Sequence, residues 1–405
     1  MFSAIRKNSV IRDVYSVALL GADNKAGIAI EVCIYFILSP YILLLKRPKA
    51  LVKLYCSRFG HLLSNTEFFF SDAEFKRQDL SGYFYFAMSK HVDSPELVRL
   101  IERAHGVKVL KGIYARAVFA TWTVMGVPKI DISALSEPEN VPYKSKIGQM
   151  IARAALDKPY VTLSLRNGKY SQTIQGATES SAWRDTDINC LTPSIIQLIR
   201  EGYDVYLVNK NHFDRKLLED IGVKNCEYKG VEHSMSLMKG AKFHIDTSTG
   251  TSLAAAFLNT LQINLNCFFA GSLNTKCYTN GNVSFQLPMK LYNELTGKFC
   301  TVVETVDFIQ KMQQDLGQST IYSEGYMRAA RFHWIQNKAS DISVAIDEAK
   351  NFADRPQPAN ELQQSFWESY PSKWVNIAHP AVVYHDSILH SDLRISTVYL
   401  EQHLK

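Results

Sequence analysis

The chain has 405 residues, 46% hydrophobic and 21% charged, with 20 Gly and 13 Pro, a composition that excludes disordered, fibrous and collagen-like proteins. Its length exceeds one ordinary core and favours two domains of roughly 150 to 200 residues each. The net charge of +6, from 45 Lys+Arg against 39 Asp+Glu, is too mild to argue for nucleic acid as a partner.

The first residues do not read as a signal peptide, because Arg6, Lys7, Arg12, Asp13, Asp23 and Lys25 interrupt any early apolar run. From Ala26 to Leu45 the chain is nearly all apolar, with Glu31 as its one acid and Ser39-Pro40 in its second half. The uninterrupted part, Val32 to Leu45, falls short of the ~20 residues of a membrane-spanning helix, so an interfacial or partly buried helix is expected. Lys46, Arg47, Lys49, Lys53 and Arg58 follow, with no acid between Glu31 and Glu67. That basic collar suits anionic headgroups; a core or dimer helix followed by a solvated basic face explains it equally well.

Short apolar runs then alternate with helical stretches. Leu51 to Cys56, Tyr83 to Met88 and Val107 to Leu110 read as strands, and Leu62 to Phe70 and Pro95 to His105 as helices. This βαβαβ pattern implies a parallel sheet. Directly after the first strand, Gly60 eases a strand-to-helix turn, and Arg58 and His61 project at the edge of the ligand crevice. A His there can serve as general base toward an acceptor hydroxyl, although a lone His is more often structural.

The stretch from Pro128 to Lys146, with Pro138 and Pro142, reads as an inter-domain connection. A second series follows: strands at Tyr160 to Leu165, Asp204 to Val208, Cys226 to Tyr228, Lys242 to Asp246 and Gln262 to Asn266, with helices at Pro193 to Arg200, Phe213 to Ile221, Ser234 to Lys239 and Thr251 to Asn259. Helical periodicity returns at Val306 to Asp315 and Ala339 to Asn351. The expected fold class is α/β, two doubly wound Rossmann-like halves with a cleft between them.

In the second half the strand ending at Asp246 runs into Thr247, Ser248, Thr249, Gly250, Thr251 and Ser252 before an Ala-rich helix. Helix-start N–H groups, hydroxyls, a close-approach Gly and the helix dipole together suit a phosphate. An ordinary capped helix is the plainer reading, but five hydroxyl residues around one Gly exceed what a cap requires. Without GxxxxGK this is no P-loop. Asp246 would repel an anion, so a ribose or acceptor hydroxyl is its expected partner. Arg166, after the strand Tyr160 to Leu165, is placed for a bidentate grip on phosphate. The cluster Trp183-Arg184-Asp185-Thr186-Asp187 could bind a sugar or supply a base, and surface charge before a helix would look the same. Lys290 is a further phosphate candidate, although a single loop Lys is usually solvated. Seven Cys, an odd number with no CxxC pair, suggest neither a zinc site nor a disulfide framework, only free thiols of a reducing cytoplasm.

In their order, these segments resemble a family of bacterial glycosyltransferases known chiefly from sequence. Arg58-Phe59-Gly60-His61-Leu62 with Asn65-Thr66-Glu67 is similar to its opening motif, Leu163 to Tyr170 to its second, and Trp183 to Asn189 to its "Arg-Asn-x-Asp-Ile" element. Asp246 to Gly250 resembles its "Thr-Ser-Ser-Gly" turn, Leu287-Pro288-Met289-Lys290 its "Pro-Lys" segment, Ile335-Gln336-Asn337 its "Glu-Asn-Thr" helix start, and Arg394 to Leu400 its closing element. The chain departs from the pattern at Phe59, usually Ile; at Ser164, usually His; at Asp185, usually Asn; and at Thr249, usually Ser.

The resemblance implies a GT-B-like enzyme that moves a sugar from a nucleotide-sugar donor to a glycan or lipid-linked acceptor in surface polysaccharide or glycolipid synthesis. It would use no cofactor and no metal, and would sit in the cytoplasm or on the inner face of the plasma membrane. The domains expected are an apolar and basic helical segment over 1–50, an acceptor domain over 51–145, a donor domain over 146–350 and a helical tail over 351–405. His61 or Asp187 would be the base, Arg166 with Ser248 to Ser252 would hold the diphosphate, and Arg58, Arg184, Asp246 and Lys290 would make other substrate contacts. A non-catalytic nucleotide- or sugar-binding module of an assembly complex, or a nucleotide-sugar epimerase, would use many of the same residues.

Overall fold

A computed structural model describes residues 17–18, 25–56, 59–88, 94–132, 145–166, 185–209, 215–225, 229–247, 249–267, 283–317, 323–369 and 393–404. The chain divides into two compact units, Met1–Val141 and Pro142–Lys405. Each contains a parallel sheet flanked by helices, so the protein is mixed α/β as expected.

The first unit begins with helix α1 (Lys25–Ile42), then β1 (Ala50–Lys53), α2 (Phe59–Phe75), β2 (Tyr83–Ala87), α3 (Pro95–His105), β3 (Val109–Lys111), α4 (Gly112–Val124) and β4 (Lys129–Asp131). The strands run parallel in the order β3-β2-β1-β4. Local chemistry fixes the ends of α3: the Ser94 side chain accepts from the Leu97 N–H, Pro95 stands at the first turn, and Gly106 closes the helix at φ 63°.

Helix α1 packs on α4 through a buried ion pair. Arg116 donates from Nε to Glu31 Oε2 (3.0 Å) and from Nη2 to Glu31 Oε1 (2.6 Å), and the Tyr35 hydroxyl also donates to Glu31. Burial works against the Arg116 charge, but the hydrogen bonds and charge of Glu31, with Tyr35, together outweigh it and hold the guanidinium pKa above its ordinary value. Burial, reinforced by Glu31, likewise raises the Tyr35 phenol. Among the described residues no helix is long and apolar enough to cross a membrane.

The second unit runs α5 (Lys146–Met150), β5 (Tyr160–Ser164), α6 (Ile188–Arg200), β6 (Asp204–Leu207), α7 (Arg215–Asp220), β7 (Lys224–Asn225), α8 (Val231–Gly240), β8 (His244–Asp246), α9 (Thr251–Phe257) and β9 (Gln262–Cys267). Then come β10 (Ser284–Pro288), β11 (Lys290–Asn293), β12 (Lys298–Phe299), α10 (Val302–Leu316), α11 (Glu324–Ala330), β13 (Phe332–Ile335), α12 (Ala339–Asp354), α13 (Glu361–Ser369), β14 (Leu393–Ile395) and α14 (Thr397–His403). The seven-stranded sheet is parallel, in the order β14-β10-β9-β8-β5-β6-β7. Counted from β5, the first six strands take the doubly wound order 3-2-1-4-5-6, and the chain reverses direction across the sheet between β5 and β8.

One face of this sheet is apolar. Val161, Leu163, Ile245, Ile263, Leu265, Phe285 and Leu287 are buried there in one core with Leu191, Ile195 and Leu198 of α6 and Ile342, Ala345 and Ile346 of α12. Because strand side chains alternate, the opposite face carries Thr162, Ser164, His244, Asp246, Gln262, Asn264, Ser284 and Gln286, all buried as well.

Several boundaries differ from the sequence reading. Residues 129–131, inside the expected inter-domain connection, form β4 and pair with β1. Helix α6 starts at Ile188, a turn and more before Pro193, because Asp187 caps it. The described part of 351–405, read as a tail, includes edge strand β14, and Ser396 Oγ donates to Glu348 Oε2 (2.6 Å) of α12.

Candidate functional site

In a doubly wound sheet the ligand crevice lies beyond the carboxyl ends of the strands on either side of the reversal. Here those are β5, which delivers Leu165 and Arg166, and β8, which ends at Asp246. Hydrogen bonds tie the two strand ends together. Thr247 N–H donates to Ser164 O (3.2 Å), and Arg166 N–H donates to Thr247 Oγ1 (2.6 Å).

Asp246 shapes the turn that follows. It is fully buried and accepts from the Thr249 N–H at Oδ1 (2.7 Å) and from the Thr249 hydroxyl at Oδ2 (2.5 Å). Thr249 Oγ1 in turn accepts from the Thr251 N–H (3.1 Å) and lies 2.6 Å from Thr251 Oγ1, while Ser252 Oγ donates to Thr249 O (2.9 Å). This arrangement corrects two expectations. The Thr249 and Thr251 N–H groups, read as open to an anion, are already satisfied by side chains of the turn, and Asp246 is a buried brace where an outward partner of a ribose was expected. The described part of the turn is thus braced by its own side chains, with Gly250 exposed. Gly250 has ordinary right-handed geometry (φ −68°, ψ −11°), so backbone conformation does not require a glycine there.

Arg166 is anchored as well as placed. Its Nε lies 3.6 Å from Asp185 Oδ1, with the Arg166 side chain 19% exposed. Asp185 is tied onward, because Gln336 Nε2 donates to its backbone oxygen and Gln336 Oε1 accepts from the Asp187 N–H (2.9 Å). The structure thereby brings together the second-motif Arg166, the acidic cluster before α6, the Thr/Gly turn and Gln336. Asp187 itself is exposed and caps α6, with Oδ1 accepting from the Asn189 N–H (2.9 Å). Burial, and then Asp187, raise the pKa of nearby Cys190.

Other candidates lie elsewhere. His61 is exposed near the start of α2 in the first unit, its ring edge-on to Tyr55 with centroids 5.1 Å apart. Lys290 is not a loop lysine but a buried residue of β11, its ammonium 2.7 Å from Asp341 Oδ2 and 2.6 Å from Gln402 Oε1. Arg58, Arg184 and Ser248 lie outside the described residues.

Sequence reading missed the polar sheet face beside the turn. Ser164 pairs in register with Asp246, Asp246 with Asn264, and Asn264 with Gln286, which sets a row of polar side chains across four strands near their carboxyl ends. Ser164 Oγ, both amide atoms of Asn264, Gln286 Oε1 and, one register back, His244 Nε2, which lies 3.6 Å from Asp246 Oδ2, are buried without a hydrogen-bond partner among the described residues. Orphaned polar atoms of this kind are uncommon in a folded interior and mark places where water or a ligand completes the bonding. The signal was visible as polar residues at every second position of strands otherwise built to be buried. Among the described residues no group of His, Cys, Asp and Glu is arranged to hold a metal ion.

No family model matches the chain, and no curated protein does. Among solved structures it is similar to ADP-heptose lipopolysaccharide heptosyltransferase II of E. coli, at 10% identity over 54% of this chain and 85% of that one, with a TM-score of 0.37. It is also similar to the E. coli heptosyltransferase WaaC with ADP (13% identity, 59% and 93% covered, TM-score 0.33). A third is the iron-containing dodecameric glycosyltransferase TibC from enterotoxigenic E. coli H10407 (14%, 54% and 58%, 0.33). At these identities and TM-scores the likeness assigns neither family nor activity, and the case for function rests on the site itself.

Proposed function

We propose that the protein is a GT-B-like glycosyltransferase that binds a nucleotide-sugar donor in the Pro142–Lys405 unit and passes the sugar to a glycan or lipid-linked acceptor. The observation that carries this reading is the meeting of Arg166 with the turn from Thr247 to Ser252 at the β5/β8 reversal. As the sugar departs, negative charge develops on the diphosphate. A guanidinium held near the turn by Asp185, together with the N–H groups at the start of α9 that the turn's own side chains leave over, stabilises that charge with little reorganisation. In this reading these donors do the work otherwise given to a metal ion. His61 and Asp187 are the candidate bases for the acceptor hydroxyl, and transfer takes place on the cytoplasmic side, at or near a membrane.

Titration calorimetry against a panel of nucleoside diphosphates and nucleotide sugars tests the assignment. One member of the panel is expected to bind, and Arg166→Ala to weaken it by about tenfold to a hundredfold, as for a lost charge-assisted bond. Gly250→Val is expected to weaken binding similarly by blocking close approach while leaving the melting temperature unchanged, since the Gly250 backbone suits any L-residue. No binding anywhere in the panel would overturn the assignment. A donor converted to an isomer without transfer would replace it with an epimerase.

A further inference from the structure

Helix α1 carries its polarity inside out. Ile30, Cys33, Phe36, Ile37, Tyr41 and Leu44 recur at helical spacing along its outer side and into the following turn. Phe36 is 71% exposed, Ile37 67%, Tyr41 69% and Leu44 84%. The polar groups face the protein instead: Glu31 is bound by Arg116 and Tyr35, and Ser39 Oγ donates to Tyr35 O (2.6 Å) and lies 3.3 Å from Thr121 Oγ1. Glu31 is the only charged residue between Ala26 and Leu45. With its carboxylate buried against Arg116, the outer face from Ala26 to Leu45 has no charge. A helix fronting water places its charges the other way round.

The charge near this face is positive. Lys46 and Arg47 are exposed directly after the apolar run, and neither is in an ion pair among the described residues. Arg47 Nη2 donates to Met125 O (3.3 Å), which sets the basic pair beside two further exposed apolar side chains, Val124 (44%) and Met125 (46%). Lys49 and Lys53, counted in the collar from sequence, instead face Asp79 and Asp131 at 2.5 and 2.9 Å.

We propose that α1 and its following turn are a docking surface for an anionic lipid bilayer. The helix lies in the plane of the interface, its apolar stripe at the acyl boundary and Lys46 and Arg47 on headgroup phosphates. The unpaired cations select this occupant over a second copy of the chain: an apolar seam between copies gains nothing from them, whereas each strengthens partitioning to an anionic surface about fivefold. The inference rests on the first unit alone and stands apart from the nucleotide site.

Flotation of the purified full chain with vesicles of phosphatidylcholine, with and without phosphatidylglycerol, tests it. The protein is expected to float with the anionic vesicles. Phe36→Asp with Ile37→Asp, and separately Lys46→Glu with Arg47→Glu, are each expected to reduce partitioning by at least about tenfold. These side chains are exposed, so circular dichroism and nucleotide binding are expected to stay as in the parent. Labelling of Cys33 by a water-soluble maleimide, followed by peptide mass spectrometry, is expected to slow when anionic vesicles are added. No flotation, flotation that neither pair of substitutions reduces, or a vesicle-free dimer that Phe36→Asp with Ile37→Asp dissociates would overturn the proposal.

Discussion

Arg116→Met is expected to lower the stability of the Met1–Val141 unit by about 3–5 kcal/mol, the loss that follows when one partner of a buried ion pair is removed. The Arg116 and Glu31 side chains are each only 7% exposed, and two guanidinium hydrogen bonds join them. Methionine fills much of the same space but leaves the Glu31 carboxylate between α1 and α4 with the Tyr35 hydroxyl as its remaining partner. Replacing both partners by apolar residues, Glu31→Leu with Arg116→Met, is expected to recover most of the loss, because no uncompensated charge is then buried. Urea unfolding of the three variants is the check. A single variant within about 1 kcal/mol of the parent would mean that water reaches Glu31 and that the pair behaves as a surface one.

Lys290→Met is expected to have an effect of the same size, about 3–5 kcal/mol, on the Pro142–Lys405 unit. Its ammonium joins β11 to Asp341 of α12 and to Gln402 of α14, and it lies 5.9 Å from the Phe299 ring centre. Removing it strands the Asp341 carboxylate, whose side chain is 9% exposed. The same variant separates two roles for this lysine. A structural strut changes the unfolding midpoint while the folded fraction binds nucleotide as before; a phosphate ligand loses affinity at unchanged stability. The geometry favours the first outcome, and calorimetry beside a melting curve distinguishes them.

Elements with their own punctuation were legible in the sequence. Helix α3 was placed to the residue because Ser94, Pro95 and Gly106 mark its two ends chemically. In the second unit β5, β6, β8 and β9 were found from their apolar runs, and the strand-turn-helix around Asp246 from the composition of its turn; β10 to β14 were not found, and the strand read at Cys226 to Tyr228 lies outside the described residues. Helix α4 was not found, since Ala115 to Trp122 are all buried and such a stretch has no polar face to set a period. Strand β4 is three residues long and half-exposed, too little pattern to stand out in a Pro-containing stretch.

At the site, sequence gave residue types and strand ends but not hydrogen-bond partners. Thr249, Thr251 and Ser252 look like free donors until Asp246 is seen to hold Thr249, and Thr249 the other two. Lys290 looks like a loop lysine until its partners, 51 and 112 residues away, are in view. The polar row from Ser164 to Gln286 exists only once the parallel register has set four separate strands side by side.

The central claim is that a nucleotide-sugar donor sits at the β5/β8 reversal, and hydrogen–deuterium exchange of the full chain with and without saturating nucleoside diphosphate tests it most directly. Slowed exchange is predicted in peptides covering Ser164 to Arg166 and Thr249 to Leu253, because a diphosphate held between Arg166 and the turn suppresses local opening of both segments. Unchanged exchange in both segments while the nucleotide is bound, or protection confined to other strands, would contradict it.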